Sequence, residues 1–136
     1  MDMVKVFTVG VFDYFHYGHL KLIERAKQLG DYLIVGVQED SEVIKYKPNT
    51  RLMYNIEERI EMVESIRYVD QVISYKNVYD SIRKIEFDIF VVGGDQNSEW
   101  FEKAKEYCIS VGKRIIVLER TPGICSSDIK KDIHEL

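Results

Sequence analysis

The segment Asp31-Tyr-Leu-Ile-Val-Gly-Val37 decides the fold class, because the five residues after Tyr32 are all apolar or glycine. An uninterrupted apolar run of this length is typical of a strand buried on both faces, as in a parallel sheet covered by helices. The β-branched segment Val4–Gly10 predicts a first strand that ends at a glycine. The sequence therefore predicts an α/β protein built on a parallel sheet.

The rest of the chain alternates between helical and strand patterns. Helical spacing of apolar residues predicts helices over about 19–29, 55–67, 78–85, 98–111 and 127–135, and short apolar runs predict further strands at 71–75, 88–92 and 114–118. Residues 38–54 show neither pattern and predict a long functional loop. The whole pattern predicts one α/β domain over 1–136, with a single-domain Rossmann-like, doubly wound, five-stranded parallel sheet and helices on both faces.

The composition of the 136-residue chain excludes several classes of protein. It is 46% hydrophobic and 31% charged, as in a packed globular domain, and its formal net charge of −4 gives no overall positive field for nucleic acid. No apolar run approaches the roughly 20 residues that a membrane-spanning helix needs. The two cysteines lack the spacing of a metal site or a disulfide framework. We therefore expect a cytoplasmic protein that binds neither nucleic acid nor membranes.

Polar residues gather where the predicted strands end, which is where doubly wound sheets bind ligands. The first strand is followed by Gly10-Val-Phe-Asp-Tyr-Phe-His-Tyr-Gly-His19 and the second by a loop with Lys45 and Lys47. The fourth and fifth strands are followed by Gly93-Gly-Asp-Gln96 and by Arg120-Thr-Pro-Gly-Ile-Cys-Ser-Ser127. Cationic side chains, hydroxyls and the N–H groups of helix starts suit an anion with several phosphates. The sequence therefore predicts a polyphosphate site at this edge.

The pair His16 and His19 is the most informative part of this set. A zinc site usually needs three or four protein ligands, and His134 is the only other histidine, which disfavours a metal pair. Gly18 instead allows the backbone to approach a phosphate, so that both imidazoles and the helix N-terminus face the same anion. The fingerprints of a dinucleotide-binding dehydrogenase, a P-loop enzyme and a Cys-x-x-Cys redox protein are missing from the sequence.

Three segments resemble the cytidylyltransferases, in the nucleotidyltransferase superfamily marked by His-x-Gly-His. They are Gly10–His19 with the following residues 22–33, then Glu57–Asp70, and Arg120–Ser127, which is similar to the signature Arg-Thr-x-Gly-Ile-Ser-Thr-Thr. In length and motifs, the chain most resembles the bacterial glycerol-3-phosphate cytidylyltransferases. The resemblance implies direct in-line transfer of CMP from CTP to a phosphorylated alcohol, foremost glycerol 3-phosphate, giving CDP-glycerol and pyrophosphate.

The resemblance also implies roles for individual residues. His16, His19, Lys47 and Arg120 would be catalytic, and Mg²⁺ would accompany CTP with no direct protein ligand other than Asp13 as a candidate. The nucleotide would be bound by Val9, Gly10, Val11, Phe12, Asp13, Gly18, Gly93, Asp95, Arg120, Thr121, Gly123, Ile124, Ser126 and Ser127. The acceptor would be bound by Lys45, Lys47, Arg59, Arg67, Asp40 and Val78.

Two expectations concern the helix predicted over 55–67. On this helix, Arg59 and Arg67 would point in directions only about 80° apart, so that both could contact the acceptor phosphate. The segment 66–73 resembles a dimer contact of the family, which implies a homodimer.

Departures from the family pattern keep alternatives open. Val11, Val78, Gln96 and Cys125 replace residues that the glycerol-phosphate enzymes commonly place near the nucleotide or the acceptor. Phosphocholine, phosphoethanolamine or another polyol phosphate is the alternative acceptor, and tyrosines could form a cage for a cationic head group. An adenylyltransferase and a non-catalytic nucleotide-binding protein are the remaining alternatives.

Overall fold

The computed structural model describes residues 3–49 and 51–119, which form a five-stranded parallel sheet with helices on both faces. The strands are β1 (Lys5–Gly10), β2 (Tyr32–Gln38), β3 (Gln71–Tyr75), β4 (Ile89–Gly93) and β5 (Arg114–Leu118). The helices are α1 (Tyr17–Lys27), α2 (Asp40–Tyr46), α3 (Ile56–Glu64), α4 (Val78–Ile82) and α5 (Glu99–Ser110). The predicted fold class is confirmed, and the helix predicted over 127–135 lies outside the described residues.

The strand order β3-β2-β1-β4-β5 places β1 at the centre of the sheet. β1 pairs in parallel with β2 over its whole length and with β4 over Val6–Thr8. The chain first proceeds from β1 to β2 and β3 on one side, and then crosses over to β4 and β5 on the other. The carboxyl ends of β1 and β4 therefore border the crevice where sheets of this topology bind ligands.

Two hydrophobic clusters, one on each face of the sheet, hold the helices in place. On one face α1 and α3 pack on the sheet, and Ile23 of α1 is fully buried there. On the other face α4 and α5 pack through residues such as Ile82 and Cys108. Neighbouring residues of β1 point into opposite clusters, Val6 into the first and Phe7 into the second, as the two-residue period of a strand requires.

Several helix boundaries differ from the sequence-based prediction, and α4, predicted over 78–85, ends at Ile82. The segment 38–54, predicted to be a loop, contains the helix α2, which buries Val43 but leaves Ile44 48% exposed. So short a helix with so few buried residues has no apolar periodicity that a sequence pattern can detect. The helix α3 ends at Glu64, so Arg67 lies beyond it.

The start of α3 agrees with the prediction. The side chain of Asn55 accepts a hydrogen bond from the Glu58 N–H (2.9 Å), and the Glu58 carboxylate accepts one from the Asn55 N–H (3.0 Å). This reciprocal cap fixes where the helix begins and hence where its residue Arg59 lies. None of the helices formed by residues 3–49 and 51–119 has the length and apolar character needed to cross a membrane.

Gly30, between α1 and β2, provides a test of close packing against Val4, which precedes β1. A Cβ atom at this position would lie 2.7 Å from the carbonyl oxygen of Val4, which is fixed by hydrogen bonds from the N–H groups of Asp31 and Tyr32. We expect Gly30→Ala to lower the free energy of unfolding by about 1–3 kcal/mol, because the added methyl group overpacks this contact.

Gly94→Ala is the matched control for Gly30→Ala. No described atom lies within 4 Å of a Cβ at Gly94, so the free energy of unfolding should change by less than about 0.5 kcal/mol. Urea unfolding measures both variants, and equal destabilisation by the two would contradict the packing argument.

Candidate active site

The loop between β1 and α1 is shaped by the packing of a phenylalanine against a glycine. A Cβ on Gly10 would lie 2.9 Å from Cζ of Phe12, so glycine leaves the space that this buried ring occupies. Phe12 and Tyr14 have φ angles of 57° and 51°, a left-handed conformation that is unfavourable for residues other than glycine. The buried ring of Phe12 therefore helps to hold the loop in a strained shape.

Asp13 joins this strained loop to the segment that precedes α3. Its two carboxylate oxygens accept hydrogen bonds from the N–H groups of Met53 (2.9 Å) and Tyr54 (3.0 Å), and the residue is only 3% exposed. Asp13 thus anchors two loops to each other. Among residues 3–49 and 51–119, no group of three or more His, Cys, Asp or Glu side chains could hold a metal ion.

Arg59 joins four chain segments beneath the same loops. Its fully buried guanidinium donates hydrogen bonds to the carbonyl oxygens of Val11 and Gln38 (both 2.8 Å) and of Tyr54 (3.0 Å). It also forms an ion pair with Asp40 at the start of α2. Arg59 therefore links the β1–α1 loop, the end of β2, the start of α2 and the segment before α3.

His16 and His19 open α1 and cap it reciprocally. Nδ1 of His16 accepts a hydrogen bond from the Gly18 N–H (3.0 Å), and Nδ1 of His19 accepts one from the His16 N–H (3.2 Å). The two rings are stacked with their centroids 3.9 Å apart. Because Nδ1 is the acceptor in each ring, a neutral imidazole carries its proton on Nε2, on the opposite side of the ring. The Nε2–H group of each neutral ring is thus directed away from the helix cap.

The surroundings of His19 keep it uncharged near neutral pH. Desolvation by burial, followed by the charge of His16, lowers the pKa of His19 to about 4. The rings of Phe12 and Phe15, whose centroids lie 5.5 and 5.2 Å from that of His19, provide the apolar surroundings. His19 is therefore suited to donate a hydrogen bond as a neutral imidazole.

A cavity of about 970 Å³ at the carboxyl ends of the strands brings many of the predicted site residues together. Its wall includes the predicted residues Val9, Gly10, Val11, Phe12, Asp13, His16, Gly18, His19, Lys47, Val78, Gly93 and Asp95. Six other predicted residues lie outside the described part of the chain, namely Arg120, Thr121, Gly123, Ile124, Ser126 and Ser127.

Four residues predicted to bind the acceptor are not in the cavity wall. Arg59 is buried, and its donors are directed at backbone carbonyl groups and at Asp40. Lys45 is exposed on α2, and Arg67 is exposed and donates a hydrogen bond to the hydroxyl of Tyr68 (2.8 Å). The expectation that Arg59 and Arg67 share a helix is wrong, because α3 ends before Arg67.

Several further residues of the wall were not indicated by the sequence patterns, among them Arg25, Gln38, Arg51, Asn77 and Trp100. The positions of two of these residues in the sequence could have identified them as site residues. Gln38 ends β2 and Asn77 follows β3, so the rule that places ligands at carboxyl ends of strands applies to both. Arg25 resembles an ordinary surface cation in the sequence, but it donates a hydrogen bond to the carbonyl oxygen of Glu119 (3.1 Å) at the cavity.

Gln96, one of the departures from the family pattern, bridges β1 and β4 at the crevice. Its Oε1 accepts a hydrogen bond from the Gly93 N–H (2.8 Å), and its Nε2 donates one to the Val9 carbonyl oxygen (2.9 Å). Both halves of the carboxamide are therefore bound to the backbone. In this structure, Gln96 holds the two strand ends together.

A family model described as Cytidylyltransferase-like matches residues 7–132, nearly the whole chain. The protein belongs to the cytidylyltransferase-like family. It is 44% identical to a glycerol-3-phosphate cytidylyltransferase of Bacillus spizizenii, over 98% of this chain and 100% of that one. It is 40% identical to the Staphylococcus aureus protein of the same name, over 97% and 96% of the two chains. These relatives confirm the family that the motifs predicted.

A more distant relative is longer, and a solved structure of low identity has a similar fold. An ethanolamine-phosphate cytidylyltransferase of Mus musculus is 32% identical over 93% of this chain, but only 32% of that protein is covered. The crystal structure of a lipopolysaccharide core biosynthesis protein from Thermoplasma volcanium superposes with a TM-score of 0.72 at 23% identity, covering 88% of this chain and 98% of that one. At that identity, the superposition supports the fold alone.

Arg59→Lys tests whether this cytidylyltransferase-like domain depends on its buried guanidinium. A lysine keeps the positive charge, but a single ammonium group cannot donate in all the directions that the planar guanidinium serves. We expect the free energy of unfolding to fall by about 3 kcal/mol, because buried acceptors lose their donors. The control is Arg83→Lys on an exposed pair with Asp80, where the change should stay below about 1 kcal/mol. Similar losses of unfolding free energy in the two variants would contradict the structural role assigned to the Arg59 guanidinium.

His19→Asn tests the neutral state of His19. The Asn side-chain oxygen replaces Nδ1 as acceptor but does not titrate. In the wild type, the unfolded chain binds this proton near pH 6.5 and the folded chain only near pH 4. The contribution of His19 to stability is therefore complete above about pH 6.5 and is lost as the pH falls toward 4.

The stability difference between the wild type and His19→Asn should consequently shrink by up to about 3 kcal/mol between pH 7 and pH 4. Urea unfolding at several pH values gives this difference directly. A difference that does not depend on pH would show that His19 titrates normally in the folded protein.

Proposed function

We propose that the protein is a glycerol-3-phosphate cytidylyltransferase, which transfers CMP from CTP to glycerol 3-phosphate and releases pyrophosphate. The observation that carries the proposal is the stacked pair His16 and His19, which caps α1 and belongs to the wall of the cavity at the strand ends. Relatives that are 40–44% identical over nearly the full chain are named glycerol-3-phosphate cytidylyltransferase, which supports the choice of CTP and glycerol 3-phosphate as substrates.

The proposed reaction is a direct in-line displacement. An oxygen of the glycerol 3-phosphate phosphate group attacks the α-phosphorus of CTP, a new P–O bond forms, and the bond to the β-phosphate oxygen breaks. Pyrophosphate carries away the bonding electrons, so no covalent intermediate with the protein is needed. Catalysis then depends on positioning and on donors that stabilise the charge of the transition state. The Nε2–H groups of His16 and His19 are suited to that role.

The cavity wall supports separate places for the two substrates. Gly10, Gly93 and Asp95 lie at the ends of β1 and β4, the crevice where we place the nucleotide. Lys47 lies just after α2 on the other side of β1, where we place the acceptor phosphate. Arg51 adds a second cation to the wall from the following segment. The histidines belong to the loop-to-helix junction between these two sides.

Magnesium would enter this site as part of the MgCTP substrate. The described residues form no cluster of metal ligands, and both carboxylate oxygens of Asp13 already accept backbone N–H groups. These residues fit an ion that is held mainly by phosphate oxygens, as is common for Mg²⁺. We also propose that the enzyme works as a cytoplasmic homodimer that binds neither nucleic acid nor membranes. Its net charge of −4 supports the expectation about nucleic acid.

The proposed function is tested by measuring pyrophosphate and CDP-glycerol formed from MgCTP and sn-glycerol 3-phosphate. Parallel reactions replace CTP with ATP, or glycerol 3-phosphate with phosphocholine or phosphoethanolamine. We expect turnover that requires CTP and glycerol 3-phosphate together and that stops when EDTA removes the magnesium. Faster turnover with ATP or with another acceptor would overturn the assignment of the substrates.

His16→Asn separates catalysis from folding in the same assay. The Asn oxygen can accept the Gly18 N–H and preserve the helix cap, but the side chain has no group at the place of Nε2–H. We expect kcat to fall by about 10²–10³-fold, as when one donor to a developing oxyanion is removed, while calorimetry still detects CTP binding. A kcat within tenfold of the wild type would argue against a catalytic His16, and loss of CTP binding would favour a purely binding role.

A further inference from the structure

We propose that Gln38 and Asn77 together recognise a hydroxyl group of the acceptor and make the enzyme selective for uncharged polyol phosphates. This inference rests on the proposed function and specifies its acceptor. Both carboxamides belong to the wall of the cavity. They lie at neighbouring strand ends, because Gln38 pairs with Tyr75 in the β2–β3 register and Asn77 follows two residues later.

The orientation of the Asn77 carboxamide is fixed by helix α4. Its Oδ1 accepts hydrogen bonds from the N–H groups of Tyr79 (2.8 Å) and Asp80 (3.3 Å). The NH₂ group must then point away from those two backbone groups. Within residues 3–49 and 51–119, the Nδ2 atom has no hydrogen-bond acceptor, so Asn77 contributes a donor to the cavity wall.

The Gln38 carboxamide is fixed through its NH₂ group, whereas that of Asn77 is fixed through its oxygen. Its Nε2 donates a hydrogen bond to the carbonyl oxygen of Lys76 (3.1 Å), the residue that precedes Asn77. Its own backbone carbonyl accepts a hydrogen bond from Arg59 (2.8 Å), which holds the end of β2 in place. In the described part of the chain no donor reaches Oε1, so Gln38 contributes an acceptor.

The donor of Asn77 and the acceptor of Gln38 suit a group that can both donate and accept a hydrogen bond, such as the hydroxyl of a polyol. A hydroxyl can donate to Oε1 of Gln38 and accept from Nδ2 of Asn77 at the same time. An acceptor molecule without that hydroxyl would displace water and leave both amide groups unpaired, which costs binding free energy. Lys47, in the same wall, provides the charge for the phosphate at the other end of the molecule.

Two aromatic residues near this pair, Trp100 and Tyr79, are poorly suited to form a cage for a cationic head group. Nζ of Lys103 lies 4.7 Å from the centroid of the Trp100 ring, and the Arg83 guanidinium carbon lies 4.3 Å from that of Tyr79. Each ring therefore already has a cation over it, and the two positive charges would repel a second one. Trimethylammonium or ammonium head groups are thus disfavoured beside Asn77.

The test compares two acceptors, sn-glycerol 3-phosphate and n-propyl phosphate, which has the same chain length but no hydroxyl groups. The variants are Gln38→Met, which removes Oε1, and Asn77→Ser, which keeps a helix-capping oxygen but removes the NH₂ group. We expect each variant to lower kcat/KM for glycerol 3-phosphate about tenfold and to leave kcat/KM for propyl phosphate within about twofold. A damaged fold would lower both values together.

The control is Gln28→Met, at the end of α1, where the side chain is exposed and is not part of the cavity wall. It should leave the ratio of the two kcat/KM values unchanged. Unchanged ratios in Gln38→Met and Asn77→Ser, with normal wild-type turnover of glycerol 3-phosphate, would overturn this inference and leave the proposed function standing. A wild type that prefers phosphocholine or phosphoethanolamine would overturn both.

Discussion

The buried guanidinium of Arg59 is the interaction on which the geometry of the site depends. A buried cation is unfavourable unless its donors are matched, and here backbone carbonyls from three segments and the carboxylate of Asp40 match them. The same hydrogen bonds hold Val11 on the nucleotide side and Gln38 on the acceptor side. The two halves of the cavity are therefore fixed relative to each other by one side chain that itself is not in the wall.

The strained loop between β1 and α1 is held by independent contacts at both ends. Phe12 is fixed by burial beside Gly10, and Asp13 by two backbone donors from the segment before α3. The loop delivers His16 to the N-cap of α1, whose first turn contains no acidic residue. The positive end of the helix dipole is thus left for an external anion, and the self-capping histidines add two donors to it.

The sequence allows the strands, the parallel sheet and the histidine pair to be predicted, because long apolar runs and residues at strand ends leave clear patterns. It does not allow α2 to be predicted, since a seven-residue helix with Val43 as its buried residue has no measurable periodicity. The burial of Arg59 is equally hidden, because a cation that binds backbone carbonyls looks like a surface cation in the sequence. The formation of α2 and the burial of Arg59 both depend on contacts between segments that are distant in the sequence.

The two sides of the cavity differ in how they would bind a ligand, and this difference bears on the choice of acceptor. On the β4 side, Gln96 has both halves of its carboxamide hydrogen-bonded to the strand ends, so its main role in this structure is to stabilise the crevice. On the β3 side, Gln38 and Asn77 each have one half bound to the backbone, and the other half has no partner among residues 3–49 and 51–119. Anchored but incompletely paired amides can select a hydroxyl without moving, because the backbone has already fixed their orientation. Acceptor selectivity can therefore be set by these two side chains, independently of the histidines that serve the phosphates.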